Sequence, residues 1–163
     1  IGVDPYYLTH KAMKHGYNPK IILAGRKINN QVPKFIVQKS ISNLKKIFIK
    51  LKKYNFLLLG ITFKENCVDF RNSKSVEIFT MIKRLGHNID VYDPWINNLQ
   101  LYKENKIKIT KPKKKHYHCI IISVAHNQFK LMSINLINSY LKKDGIIFDV
   151  KKILPNSINH FSL

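Results

Sequence analysis

The sequence predicts an α/β fold in which an N-terminal helical arm precedes a mostly parallel sheet with helices on both of its faces. Apolar runs at 56–59 and 118–124 lack the alternation of a half-exposed strand, which is typical of strands buried inside a parallel sheet. Segments whose apolar residues have helical spacing separate these runs, in the order expected of βαβ units. Residues 20–53 have helical spacing throughout, so we expect a helical arm before the sheet.

The arm is predicted to contain two helical segments. The first begins at about Pro5 and ends near His15, because Asp4 suits the N-cap and Pro5 suits the first turn. The second occupies 20–53, where Pro33 predicts a kink or a break rather than a helix interior. A long amphipathic helix of this kind packs against another domain or a second subunit, or it covers its own sheet, and the pattern fits both.

Residues 54–163 are predicted to form one domain with a Rossmann-like alternation of strands and helices, and residues 1–53 the end of a separate helical region. The predicted strands are 56–59, 88–92, 118–124 and 145–150, with a weak one at 107–109, and the predicted helices are 73–85 and 128–141. Because the strands are parallel, their carboxyl ends meet at one edge, where open α/β sheets bind ligands.

The chain of 163 residues is strongly basic, with 29 lysines and arginines, 9 acidic residues and a formal net charge of +20. Such a charge raises the hypothesis of nucleic-acid binding. Only three of the basic residues are arginines, however, and the lysines are spread along the whole chain. Proteins that read phosphate and guanine rely on the arginine fork. We therefore expect only non-specific attraction to nucleic acid.

Composition also sets the expected location of the protein. Hydrophobic residues make up 45% of the chain, which indicates a folded protein. No apolar run approaches the roughly 20 residues that span a bilayer, and no secretory leader is recognisable. Cys67 and Cys119 have neither metal-ligand spacing nor the density of a disulfide framework, so no metal site is predicted. These features favour a cytoplasmic protein with reduced thiols and no membrane partner.

A polar loop after the first predicted strand carries most of the candidate chemistry. Lys64, Asp69 and Arg71 lie between that strand and a helix predicted to begin near Ser73, which is the arrangement of an anion site at the start of a helix. Lys64 and Arg71 together favour a phosphate-bearing ligand. Lys64 is alternatively a solvated surface charge, and Asp69 alternatively pairs with Arg71 or caps the helix.

Four further features of the sequence bear on a possible ligand or catalytic site. The turn at 60–65 lacks the G-x-G-x-x-G pattern, so no complete NAD site is predicted within this chain. Asp93 is placed like the ribose-binding acid of a dinucleotide site, although Asp-Pro turn chemistry is the simpler explanation. His126 faces the crevice or is a hydrogen-bonded structural histidine. Cys67 has no histidine partner close in sequence, which disfavours a nucleophilic role.

Three stretches together resemble the UDP-glucose/GDP-mannose dehydrogenase family of NAD-dependent enzymes, which oxidise nucleotide sugars. They are 1–12 (IGVDPYYLTHKA), 60–74 (GITFKENCVDFRNSK), and a set formed by 91–95 (VYDPW), 124–126 with Phe129, 148–151 and 153–155. The similarity covers the chain nearly end to end and is closest to the branch that acts on UDP-N-acetylhexosamines (GlcNAc or GalNAc) for bacterial surface polysaccharides. Val68 departs from this branch, which usually has proline there.

The resemblance implies an activity for the whole enzyme. The C6 alcohol of a UDP-sugar would be oxidised to a carboxylate, giving a UDP-uronate, through a cysteine thiohemiacetal and thioester. The cysteine is expected just before Ile1 and the N-terminal NAD-binding domain further upstream, so the chain alone is expected to be inactive. What is present would be the end of the central dimerisation region, forming a homodimer through 20–53, and the UDP-sugar-binding domain.

The resemblance also implies residue roles. Asp4 would assist water activation and proton transfer, and Arg71 would reach the NAD cofactor across the cleft between domains. The implied substrate-binding residues are Lys64, Phe63, Tyr7 and Arg26, and Asn29 lies in a matching stretch. Two other classes of function stay open: a non-catalytic remnant that dimerises or binds UDP and, less favoured, a basic nucleic-acid-binding protein.

Overall fold

The computed structural model describes residues 4–96, 98–155 and 160–162. The helices are α1 (Asp4–Lys14), α2 (Lys20–Ile47), α3 (Lys74–Arg84), α4 (Asn98–Asn105), α5 (Asn127–Lys130) and α6 (Ile134–Tyr140). The strands are β1 (Asn55–Leu59), β2 (Asn88–Tyr92), β3 (Tyr117–Ile122), β4 (Leu141–Asp149) and β5 (Phe161–Ser162). Over these residues, no helix combines the length and the apolar character needed to cross a membrane.

The strands form one sheet in the order β2-β1-β3-β4-β5, and the pairs between neighbouring strands are parallel. Leu58 of β1 pairs with Val91 of β2 on one side and with Ile121 of β3 on the other. The central strands β1 and β3 have apolar runs without alternation because both faces of the sheet are covered there. The prediction of a mostly parallel sheet is confirmed.

Alternate side chains of each strand enter two separate cores. Phe56 and Leu58 belong to the core that α2 and α3 cover. Leu57 and Leu59 point the other way, into a second core that includes Ile137 of α6. The prediction of helices on both faces is therefore confirmed as well.

Pro33 lies inside α2, so the predicted break at this position is wrong. Proline in a helix interior removes one backbone hydrogen bond and costs roughly 3 kcal/mol. Ile36, Val37 and Leu44 of the same helix are almost completely buried against the sheet. Because each such side chain contributes about 1.5–3 kcal/mol on burial, packing outweighs the cost of the proline. The second half of α2 thus covers the sheet of its own chain.

Three local predictions also differ from the structure. The sequence did not predict α4, and the weak strand at 107–109 is reduced to one isolated bridge between Val91 and Ile109. The predicted helix 128–141 is two helices, because the hydroxyl of Ser133 caps the first turn of α6 at 3.2 Å. Single capping and bridging contacts of this kind leave little periodic signal in a sequence.

Candidate functional site

The order of the sheet reverses at β1, which lies between β2 and β3. This is the topological switch point, where open α/β sheets bind ligands outside the carboxyl ends of the strands. Gly60 follows β1 with a φ of +90°, and a Cβ atom at this position would lie 2.5 Å from the Cβ of Val124. The chain after β1 therefore approaches the end of β3 closely only because residue 60 is glycine.

A cleft of about 330 Å³ lies between α2, the start of α3 and the carboxyl ends of β1, β3 and β4. Its lining comprises Asn29, Val32, Pro33 and Ile36 of α2; Thr62, Phe63, Lys64 and Glu65 after β1; Asn72, Ser73, Lys74, Ser75 and Ile78 at α3; and Ser123, Val124, Val150 and Lys151 after β3 and β4. The predicted crevice at the strand ends is thus present, with one helix of the arm as its second wall.

The lining of the cleft is positively charged. Lys64, Lys74 and Lys151 line it, against one acidic residue, Glu65, among the described lining residues. The ammonium of Lys74 is paired with Glu77 at 2.7 Å. Over the described part of the chain, no carboxylate forms an ion pair with Lys64 or Lys151. Two ammonium groups are therefore available to an anionic ligand.

Two buried side chains, Asp93 and His126, hold the loop after β1 in place. Asp93 Oδ2 accepts the backbone N–H groups of Ile61 at 2.7 Å and of Thr62 at 3.3 Å. His126 Nδ1 accepts the backbone N–H of Asn66 at 2.9 Å, and its Nε2 lies 3.1 Å from Asp93 Oδ2. Because Nδ1 is an acceptor, Nε2 carries the proton and donates to the carboxylate. The interpretation of His126 as a structural histidine is confirmed.

The carboxylate of Asp93 accepts hydrogen bonds from the backbone N–H groups that a bound dinucleotide would need. Burial raises the pKa of Asp93, but hydrogen bonds from His126 and from the backbone N–H groups of Ile61 and Trp95 outweigh burial and hold the pKa below its ordinary value. In a dinucleotide-binding turn, the N–H groups after the first strand face the pyrophosphate. In this chain the N–H groups of Ile61 and Thr62 donate to the buried carboxylate of Asp93 instead. This turn therefore does not fit a dinucleotide, in agreement with the absence of the G-x-G-x-x-G pattern.

Further hydrogen bonds tie the loop to α3. The backbone N–H of Phe63 donates to the carbonyl of Asp69 at 2.7 Å, and the hydroxyl of Ser73 donates to the carbonyl of Thr62 at 3.0 Å. Ser73 also accepts a backbone N–H of the first turn, which makes it the N-cap of α3. Lys64 is therefore presented by a loop whose backbone is fixed at both ends.

Arg71 and Asp69 form a two-point ion pair on the protein surface. The Nε–Oδ1 and Nη2–Oδ2 distances are 3.0 and 2.7 Å, and the hydrogen bonds from Arg71 lower the pKa of Asp69 to about 2. Of the two alternatives for Asp69, pairing with Arg71 is confirmed, whereas Ser73 rather than Asp69 caps α3. Arg71 does not line the cleft.

The other predicted site residues lie on α1 and α2. Tyr7 is exposed, and the guanidinium of Arg26 lies 3.9 Å from the ring centroid of Tyr6. Hydrogen bonds from Arg26 and Asn30 lower the pKa of the Tyr6 hydroxyl. Asp4 is the first residue of α1, and its side chain lies outside the described part of the structure.

Of the four predicted substrate-binding residues, Lys64 and Phe63 line the cleft, whereas Tyr7 and Arg26 do not. Sequence analysis missed Lys74, Ser123 and Lys151 as cleft residues. Ser123 and Lys151 lie within two residues of the carboxyl ends of β3 and β4, and this position was an available signal for them. No such signal existed for α2 as the opposite wall, because its orientation depends on packing against the sheet.

The fold and the cleft define a doubly wound α/β domain with a cationic ligand cleft at its switch point. Comparison with known proteins agrees with this class of fold and identifies the family within it. The UDP binding domain of the UDP-glucose/GDP-mannose dehydrogenase family matches residues 57–156. The chain belongs to this family, as the resemblance in its sequence indicated.

Individual relatives give the extent of the similarity. The chain is 38% identical over 156 residues to UDP-N-acetyl-D-glucosamine 6-dehydrogenase of Salmonella typhi and 40% identical over 155 residues to that of Pseudomonas aeruginosa. The alignments cover 95% and 94% of this chain, which spans 37% of the length of each relative. A solved UDP-D-ManNAc dehydrogenase from Pyrococcus horikoshii shares the fold, with a TM-score of 0.77 at 23% identity, covering 99% of this chain and 37% of that one.

Proposed function

We propose that this chain is the UDP-sugar-binding part of an NAD-dependent nucleotide-sugar 6-dehydrogenase, an oxidoreductase that converts the C6 alcohol of a UDP-sugar to a carboxylate. The observation that carries the proposal is the cleft at the switch point, where Lys64 and Lys151 have no ion-pair partner among the described residues. Family membership and the identity to two UDP-N-acetyl-D-glucosamine 6-dehydrogenases support this class of substrate.

The diphosphate of UDP is the ligand group that suits the cleft. Lys64 and Lys151 supply two ammonium groups from the ends of β1 and β4, and α3, a helix of 11 residues, adds the positive end of its dipole. Charge-assisted hydrogen bonds to phosphate are about twice as strong as neutral ones. Phe63 is partly exposed beside Lys64 and offers an aromatic surface to the uracil or the sugar.

The redox chemistry in this proposal needs groups beyond the cleft. NAD would accept the hydride in each of two oxidation steps, but the turn after β1 does not fit it. We place NAD outside this sheet, on the side of the loop that carries the exposed Arg71, and assign proton transfer to Asp4. The acyl intermediate would form on a thiol other than those of this chain, since burial raises the pKa of Cys119 to about 12 and Cys67 does not line the cleft.

The proposal includes a cytoplasmic homodimer that forms through residues 20–53. Ile21, Ile28 and Phe35 of α2 are 89%, 67% and 50% exposed and recur every seven residues. This spacing places them along one side of the helix, as in the seam of a coiled coil. A second copy of the chain, with the same apolar stripe, is the partner that this surface suits.

Calorimetric titration of the chain with UDP and UDP-N-acetylglucosamine tests the proposal. We expect both to bind more tightly than uridine, which lacks the diphosphate. Lys64→Ala and Lys151→Ala should each weaken UDP binding roughly tenfold or more. Lys130→Ala, which removes an exposed lysine of α5 outside the cleft, should not. Equal affinity for UDP and uridine would refute the proposal, and NADH formation by the chain alone would refute the need for an additional thiol.

A further inference from the structure

A second cavity lies at the opposite edge of the sheet, where the strands begin. It is open to solvent and has a volume of about 720 Å³ between the end of α2, the residues before β3 and the start of β4. Phe48, Leu51 and Leu141 give it an apolar wall. The function proposed above uses the carboxyl edge of the sheet and makes no use of this cavity.

The rim of this cavity is cationic. Lys115, Lys142 and Lys143 line it, and all three are exposed. Within the described part of the chain, no aspartate or glutamate belongs to the lining, and no ion pair involves these lysines. An apolar wall below three unpaired ammonium groups combines the two features that an amphipathic anion requires.

A buried histidine adds a hydrogen-bond donor. His118 lines the cavity and is only 4% exposed. Its Nδ1 accepts the backbone N–H of Asn55 at 2.9 Å, so its Nε2 carries the proton. The rings of Phe48 and Tyr54 lie edge-on to the imidazole at 5.0 and 5.9 Å and limit its rotation. Among the described residues, no hydrogen-bond partner is found for Nε2, so its N–H is available to a ligand in the cavity.

We propose that this cavity is a binding site for a small organic anion, a carboxylate or phosphate attached to an apolar body. The anionic group would accept the Nε2–H of His118 and lie among Lys115, Lys142 and Lys143. The apolar body would pack on the wall formed by Phe48, Leu51 and Leu141. The site is separate from the nucleotide cleft, because the two lie at opposite edges of the sheet.

Phenyl phosphate and benzoate are suitable probes, with inorganic phosphate and benzyl alcohol as comparators that lack the apolar body or the charge. Titration followed by NMR of the histidine side chains should show saturable shifts of the His118 ring with at least one probe, at concentrations where neither comparator acts. The shifts should persist in the presence of saturating UDP. The triple variant Lys115→Ala, Lys142→Ala, Lys143→Ala should weaken probe binding at least tenfold.

The charge-matched control removes three exposed lysines elsewhere, as Lys11→Ala, Lys103→Ala and Lys130→Ala. The proposal is overturned if the two triple variants bind the probes equally, because the attraction then reflects overall charge. It is also overturned if UDP displaces the probes, or if inorganic phosphate shifts His118 as strongly as phenyl phosphate does. All six lysines are exposed, so neither variant should perturb folding.

Discussion

The imidazole Nε2 of His126 and the carboxylate Oδ2 of Asp93 lie 3.1 Å apart, and neither side chain has surface exposed to solvent. Asp93 follows β2 and His126 follows β3, so the pair spans the two strands on either side of β1. Both side chains also accept backbone N–H groups of the loop after β1. The loop that presents Lys64 is therefore held from both neighbouring strands.

Replacing His126 by alanine should loosen this loop. The backbone N–H of Asn66 and the carboxylate of Asp93 each lose a buried partner, so we expect a loss of about 1–3 kcal/mol in the free energy of unfolding. UDP affinity should fall at least tenfold, as measured by calorimetry below the melting temperature of the variant. Ile137→Ala in the second core is the control, since it also destabilises but lies away from the cleft. UDP binding that is unchanged in the histidine variant would contradict the role of the pair.

Gly60→Ala should be far more destabilising than Gly86→Ala. Both glycines have positive φ, +90° and +83°, so alanine carries a similar backbone strain of roughly 1–2 kcal/mol at either position. Only at residue 60 does the added Cβ clash, at 2.5 Å from Val124, whereas nothing lies within 4 Å at residue 86. Urea denaturation of the two variants therefore isolates the steric contribution. Equal losses of stability would show that β1 and β3 do not approach as closely as described.

The free energy of unfolding should decrease as the pH falls below about 6.5. Burial, followed by the effect of neighbouring lysines, lowers the pKa of His87 and His118 from 6.5 in the folded protein. The unfolded chain then binds protons more tightly, so stability is greatest above pH 6.5 and is lost as the pH drops towards the folded pKa values. Urea denaturation between pH 7.5 and 5 measures this dependence.

Two variants test whether His118 contributes to this pH dependence. His118→Gln keeps an acceptor for the backbone N–H of Asn55 but does not titrate, so its profile should be flatter. His10→Gln, which changes an exposed histidine of α1, should leave the profile unchanged. A profile that is equally steep in both variants would exclude His118 as a contributor.

Ile28→Glu should shift the chain from dimer to monomer. Ile28 lies in the middle of the exposed apolar stripe of α2, and a carboxylate there would be desolvated at the seam. Leu131→Glu is a matched control, because Leu131 is an 85% exposed apolar residue after α5 and lies off the stripe. Sedimentation velocity over a range of concentrations measures both variants. A parent chain that is monomeric throughout would refute the proposed dimer.

Much of the candidate site was predictable from local sequence. The apolar runs predict which strands are buried, and the glycine and polar residues after β1 predict a loop at their carboxyl edge. Lys64 was found this way and lines the cleft, as does Phe63, which was named only through the resemblance. Tyr7 and Arg26 were carried over by resemblance alone, and the structure places neither in the cleft.

By itself, the sequence determined the α/β class, the parallel sheet and the loop that carries Lys64, since these depend on periodicity and on the residue types at strand ends. The tertiary structure alone decided that α2 continues through Pro33 and forms the second wall of the cleft, and that His126 and Asp93 meet. The physical reason is sequence distance: His126 and Asp93 come together through the order of the sheet, and packing free energy on the sheet overrides the local preference of proline. The loop after β1 supplies one side of a site whose other side is set by packing.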